Sequence, residues 1–150
     1  MIKIICVGKI KEKYLLDAIV DYKKRISKYT KIDIIELPDT PIIEKALLKE
    51  KKLIQKNIND KDYVIALDIK GTMLSSEELS ENLSKIMAIH NGNVVFVIGG
   101  SYGLHAEVLK RANYRLSFSK LTFPHQLFRV VLLEQIYRCF KIINNESYHK

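Results

Sequence analysis

The sequence predicts an α/β fold, a mostly parallel sheet with helices on both faces. Three observations carry this expectation. Strand-like and helix-like patterns alternate from one end of the chain to the other, as parallel strands joined by helical crossovers require. The run Val94-Val95-Phe96-Val97-Ile98 has no polar alternation and reads as a strand buried on both faces. The chain has 150 residues, of which 47% are hydrophobic, and a domain of that length buries roughly 70% of its unfolded surface. No linker, repeat or low-complexity stretch interrupts it, so residues 1–150 are expected to form one domain.

Strands are expected over 2–7, 32–37, 63–68, 94–98 and 114–118. Ile2, Ile4, Ile5 and Val7 make the first, and Tyr63 to Leu67 make the third, both rich in β-branched and aromatic residues. The first helix, near 12–28, has a face of Leu15, Leu16, Ile19, Tyr22, Lys23 and Ile26 at helical spacing. A highly charged second helix covers 42–58. A third covers 75–89, with Ser75 or Ser76 as cap and Glu77 and Glu78 in its first turn. A short fourth covers 104–112. The last helix, about 124–143, has Thr122 available as a cap and Pro124 in its first turn, where a missing N–H does no harm. Its residues Leu127, Phe128, Val130 to Leu133, Ile136, Tyr137, Phe140, Ile142 and Ile143 make it apolar almost all round. Such a helix must be covered on more than one side, and a homodimer with this helix in the interface is the expected cover.

Charge narrows the partners. The formal net charge is +8. Residues 1–60 hold 14 Lys/Arg against 9 Asp/Glu, residues 61–104 hold 3 against 5, and residues 105–150 hold 8 against 3. The surplus at the two ends suits a polyanion; solvated lysines of a lysine-rich chain are the plainer account. Cys6 and Cys139 lie in apolar segments and are expected to be packed thiols. The four histidines show no metal-ligand spacing, so no metal is expected. The apolar run from Met1 to Gly8 is too short for a signal peptide, and no segment reaches the roughly 20 apolar residues that span a bilayer. The expected setting is a reducing cytoplasm, without membrane contact.

The buried strand 94–98 stops in Gly99-Gly100-Ser101-Tyr102-Gly103, three glycines in five positions. Open α/β sheets build ligand sites at such carboxyl ends. Strands three and five end in Leu67-Asp68-Ile69-Lys70-Gly71 and Phe118-Ser119-Lys120-Leu121-Thr122-Phe123-Pro124. If the three strands are neighbours, these loops face one pocket. It would offer backbone polar groups and small or apolar side chains, which suits a flat base with a mixed tail better than a triphosphate. Neither G-x-x-x-x-G-K-[ST] nor an early G-x-G-x-x-G occurs.

The segments Val97 to Leu104, Leu116 to Arg129, Glu134-Gln135-Ile136-Tyr137-Arg138 and Tyr148-His149-Lys150 resemble the ribosomal large-subunit pseudouridine N3-methyltransferase family, within the SPOUT class of knotted methyltransferases. The opening Met1 to Lys9 and Ala66 to Gly71 fit as well, so the resemblance covers essentially the whole chain. It implies a C-terminal trefoil knot, S-adenosylmethionine held by the knotted loops, and a homodimer joined through the terminal helix. It also implies methylation of N3 of a pseudouridine in 23S rRNA, on assembled ribosomes. Carried over, the donor-binding residues are Leu67, Gly99, Phe118, Ser119, Lys120, Leu121, Thr122 and Phe123. A non-catalytic RNA- or ribosome-binding module and a small nucleotide- or flavin-binding protein are the competing classes.

Methyl transfer from a sulfonium needs alignment rather than a metal. An imide nitrogen acceptor must lose its proton, so a base or an anion-stabilising cation would help. The catalytic candidates are His125, Arg129, Tyr148 and His149. His125 and Arg129 are spaced i, i+4 and share a helix face. His125 is a titratable base or a packed residue at the helix start. Arg129 suits a phosphate, the anionic base, the donor carboxylate or a dimer salt bridge. The tail from Tyr148 to Lys150 combines a stacking ring, a titratable ring and a cation, either a flap over an RNA base or an inert terminus.

Overall fold

In the computed structural model the backbone is described for residues 1–150 and the side chains for all of them except residues 43 and 44. Five strands, β1 (Ile2–Val7), β2 (Ile32–Leu37), β3 (Tyr63–Met73), β4 (Val94–Ile98) and β5 (Tyr114–Ser117), alternate with five helices. These are α1 (Lys13–Ile26), α2 (Ile43–Lys56), α3 (Ser76–Ile89), α4 (Ala106–Arg111) and α5 (His125–Ile143). The strands form one sheet in the order β2-β1-β4-β3-β5, and every pairing is parallel. The α/β expectation holds, with helix ends at the expected bounds or up to two residues inside them.

Strand alternation distributes the core between the two faces. Ile2, Ile4, Cys6, Ile65, Val94, Phe96 and Ile98 point to one side, where they pack with α1, α3 and α5. Ile5, Val64, Val95 and Val97 point to the other, against Ile54 of α2 and Val108 of α4. All five residues of β4 are buried, because this strand lies at the centre of the sheet with helices over both faces. Cys6 and Cys139 are both buried and unpaired; burial pushes each thiol up to about 11.

Three details depart from expectation. The third strand does not end at 68: its pairing with β5 skips from Leu67 to Thr72, both opposite Leu116, and resumes through Met73. Residues 68–71 therefore loop out, and Gly71 lets the chain return, since a Cβ there would lie 2.7 Å from the Arg115 carbonyl. Thr122 does not cap α5. Pro124 occupies the cap position and no side chain caps the helix, because the exposed Thr122 stays in the preceding loop. Finally, α5 is largely covered within its own chain. It packs between α1 and α3 and on the sheet, burying Leu132, Leu133, Ile136, Tyr137, Cys139 and Phe140, so packing alone does not demand a partner over its whole length. Among the described residues no helix is long and apolar enough to cross a membrane.

Ser75 caps α3 in a complete capping box: its side chain accepts from Glu78 N at 3.1 Å, and Glu78 returns a carboxylate to Ser75 N at 3.1 Å. Ser75→Ala is expected to cost about 1 kcal/mol, read as a lower urea midpoint at unchanged slope. An unchanged midpoint would mean that the cap contributes nothing to folding.

Candidate active site

β4 and β3 are neighbours, and β3 and β5 are neighbours, so the three strand ends singled out in the sequence lie side by side. They enclose a cavity of about 620 Å3, within the range of small-molecule sites and larger than the cavities of about 260 and 250 Å3 elsewhere. Its walls are residues 67–70, from Leu67 into the loop within β3, residues 98–104, from the last residue of β4 onward, and most of 115–123 in and after β5, with His125 and Phe128 beside them.

Each wall has its own local cause. Gly103 adopts φ +74° and its N–H donates to Gly100 O at 3.1 Å, folding the turn after β4 on itself. Gly99 is needed for closeness: a Cβ there would lie 2.4 Å from Gly103 O. In the first wall Asp68 Oδ1 accepts from Lys70 N at 3.1 Å, the side-chain turn that suits Asp in a loop. In the third, Ser117 Oγ donates to Ser119 O and Ser119 Oγ accepts from Leu121 N. Phe118 meets Phe128 edge-on at 4.9 Å between ring centres, and Phe123 meets Phe128 at 5.8 Å. These rings make one apolar wall, set against the backbone polar groups of the glycine turn. The charged side chains of the lining are Asp68, Lys70 and Arg115, so the site has no cation cluster of the kind a triphosphate needs.

Of the residues expected to hold a donor, Leu67, Gly99, Phe118, Ser119, Leu121, Thr122 and Phe123 line this cavity, and Lys120 does not. Among the catalytic candidates only His125 reaches it. Among the described residues no group of three or more His, Cys, Asp or Glu is placed to hold a metal.

Arg129 shares the helix face with His125 but is 1% exposed and turns away from the cavity. Its Nη1 donates to Glu36 Oε2 at 2.7 Å, and its Nη2 donates to Gly8 O at 3.1 Å. Glu36 also accepts from Ile10 N at 3.1 Å. Arg129 thus ties α5 to the ends of β1 and β2 in its own chain, and its burial keeps the guanidinium from a phosphate or an intersubunit bridge. Its neighbour across the turn is Gly8, at φ +91°, where a Cβ would come 3.7 Å from His125 Nε2. The same turn therefore carries the carbonyl held by Arg129 and the surface against which His125 rests. Glu36 was not legible as a functional partner, since it is separated from Arg129 by 93 residues and sits in a strand pattern like any other edge carboxylate.

The tail is ordered against its own chain and not over the cavity. Tyr148 Oη donates to Glu134 Oε1 at 3.0 Å, its ring lies 4.9 Å from that of Tyr137, and the Arg138 guanidinium sits 4.8 Å from it. Arg138 also holds Glu134, at 2.6 Å from Nη2. His149 bridges Arg138, 3.0 Å from Nδ1, and Glu77 of α3, 2.5 Å from Nε2. A guanidinium only donates, so Nδ1 accepts and Nε2 carries the proton given to Glu77. That bond holds the Glu77 carboxyl below the usual range, whereas burial, then Glu134, pushes the Tyr148 phenol up to about 12. Glu134 follows His125 by nine residues, about 13 Å along the helix, so the tail and the cavity are separate within one chain.

A family model described as "predicted SPOUT methyltransferase" matches residues 1–149. The chain is 55% identical to a ribosomal RNA large subunit methyltransferase H of Clostridium botulinum and 54% identical to that of Clostridium acetobutylicum, with 99% of both chains covered in each case. A solved structure of a probable methylase family protein from Haemophilus influenzae Rd KW20 superposes with a TM-score of 0.59 at 18% identity, over 99% of this chain and 70% of that one. At that identity the likeness concerns the fold alone.

Proposed function

This chain belongs to the SPOUT methyltransferase family, and from that premise we propose that it transfers a methyl group from S-adenosylmethionine to N3 of a pseudouridine in 23S ribosomal RNA. The reading has it work on assembled ribosomes in the cytoplasm, as a homodimer of single-domain subunits with a C-terminal trefoil knot. The observation that carries it is the convergence of three strand ends on one cavity of about 620 Å3. The rRNA substrate is supported by the names of the full-length relatives.

The cavity fits such a donor on its own chemistry. An apolar wall of Phe118, Phe123 and Phe128 faces the backbone of the glycine turn, which suits an adenine ring between a flat apolar surface and hydrogen-bonding peptide groups. Bound there, the donor supplies an already activated methyl group on a sulfonium. Gly99 and residues 118–123, except Lys120, fix its position, and the closed turn keeps the approach narrow. His125 at the mouth is the group placed to hold the proton that leaves N3. Arg129 positions the start of α5 and does not touch the reactants. Tyr148 and His149 serve the base side once the tail leaves its seat on α5. The dimer face draws on the apolar groups left exposed around the cavity mouth and the start of α5: Ile69, Tyr102, Leu121 and Leu127 are each at least 40% exposed.

Calorimetry with S-adenosylmethionine and S-adenosylhomocysteine, followed by labelled methyl transfer to ribosomes with and without the pseudouridine, tests the reading. Binding of both ligands and transfer only to the pseudouridine-containing particle are expected. No binding at millimolar concentration would sink the enzyme and leave an RNA-binding module. A monomeric mass by sedimentation at micromolar concentration would remove the dimer. Deletion of residues 147–150 is expected to lower methylation of ribosomes with little change in donor affinity; unchanged turnover would return the tail to a purely structural role.

A further inference from the structure

The donor cavity uses little of the positive charge noted in the sequence, since Lys70 and Arg115 are the only Lys or Arg side chains in its lining. The two basic ends of the chain meet elsewhere, at the edge of the sheet where the strands begin. There α1 ends, the chain turns into β2, and the last turn of α5 arrives alongside. A second cavity of about 250 Å3 opens at this meeting point, rimmed by Lys24, Arg25, Lys28 and Lys141 and floored by Tyr29 and Tyr137.

The rim has cations to spare. Asp21, also in the lining, is matched by Arg25 at 3.0 Å, and the nearby Glu146 by Lys141 at 3.2 Å. Among the described residues Lys24 and Lys28 make no ion pair and both are exposed. Two helix C-termini lie here, but each carries only about half a negative charge, less in sum than the two unmatched lysines. The rings hold the rim in place. Lys141 Nζ lies 5.8 Å and 5.5 Å from the Tyr29 and Tyr137 centres, and Arg25 Cζ lies 5.8 Å from Tyr137, all within cation–π reach. Both rings are engaged within the chain: Tyr137 is 7% exposed, and the half-buried Tyr29 has one face on Phe140 at 5.5 Å and 5°, Lys141 over its ring and its hydroxyl on Glu146. The site therefore offers cations without a stacking platform, which selects phosphate over nucleobase.

We infer that this cavity is a second docking point for the ribosomal RNA substrate, gripping its phosphodiester backbone remote from the methylated base. The inference rests on the rRNA reading above. His125 and Lys141 are sixteen residues apart on α5, about 24 Å, so the phosphates held here belong to a folded RNA that presents both points together.

The test compares Lys24→Glu/Lys28→Glu with Lys49→Glu/Lys52→Glu, an exposed pair on α2 with the same change in net charge. Binding to ribosomal particles is measured by filter retention across a salt series, with methyl transfer and donor calorimetry in parallel. The first variant is expected to lose at least tenfold in affinity for the particles and to show a KM raised by a similar factor, with kcat and donor affinity unchanged. Its log K against log salt slope should fall by about 2, roughly one per lysine removed from a phosphate. Equal losses in both variants would reduce the effect to net charge and overturn the site. So would an unaltered slope in the first, or binding that survives ribonuclease, which would assign the surface to a protein. Wild-type protein that binds particles with this lysine dependence but never methylates them would instead overturn the catalytic reading and leave the site standing.

Discussion

Arg129→Met is expected to destabilise the fold by about 3 kcal/mol, the order found when one partner of a buried ion pair is removed. In a chain of this length that corresponds to a fall in Tm of roughly 6–12 °C. The loss has two sources. Gly8 O, in a buried position, gives up its Arg129 donor, which is costly, and the Glu36 carboxylate loses its cation and keeps only the Ile10 N–H. One feature moderates the figure: Arg129 Nε has no partner, so the methionine removes one poorly satisfied atom along with the good bonds. Glu36→Gln keeps the shape and is expected to lose about 1 kcal/mol, because the Glu36 side chain is 36% exposed and its charge is partly solvated. The double variant should fall short of the sum of the two. Urea denaturation checks this, and an Arg129→Met midpoint within about 0.5 kcal/mol of wild type would refute the clamp. Because the clamp sits behind His125, donor affinity in the surviving folded fraction should change far less than stability.

At Gly99 the opposite balance is expected. Gly99→Val should abolish donor binding by calorimetry while leaving the subunit folded and its sedimentation unchanged. Any Cβ there would meet the Gly103 carbonyl at 2.4 Å and its carbon at 2.7 Å. Both are backbone atoms, so the whole turn from 99 to 103 must move, and that turn is one wall of the cavity. Gly103→Ala separates steric from conformational effects. Gly103 has φ +74° but nothing within 4 Å of its would-be Cβ. It should cost only the roughly 1–2 kcal/mol of a left-handed L residue and weaken donor binding much less than Gly99→Val. Normal donor binding by Gly99→Val would remove the three-loop cavity as the donor site.

The architecture was legible in the sequence to a large degree, for a reason visible in particular segments. β1, β2 and β4 carry their own apolar patterns, and Ser75 with Glu78 announces the start of α3; these are local signals, and the structure keeps them. The glycine turn after Ile98 and the loop 118–123 were equally legible as candidates, because a buried strand that ends in small or apolar residues leaves its carboxyl edge open. In the sequence the third strand reads as ending at 68 because Asp68 and Gly71 look like a terminus, whereas pairing with β5 restores the strand at Thr72. Thr122 has the spacing of a cap, but the cavity loop keeps it out of reach.

Local pattern and chain order thus established the alternating fold, the strands whose ends line the cavity, and the residue types found in that lining. The roles of the long-range partners came from packing. Arg129 pairs with Glu36 across 93 residues and His149 with Glu77 across 72, and no periodicity within either segment encodes those meetings. The same holds for the lysines of α1 and α5, which share a cavity because both helices end at the same edge of the sheet. Hydrophobic period is a property of neighbours in the chain. Which charges face one another depends on where whole helices come to rest, and that is set by the sum of contacts over the core.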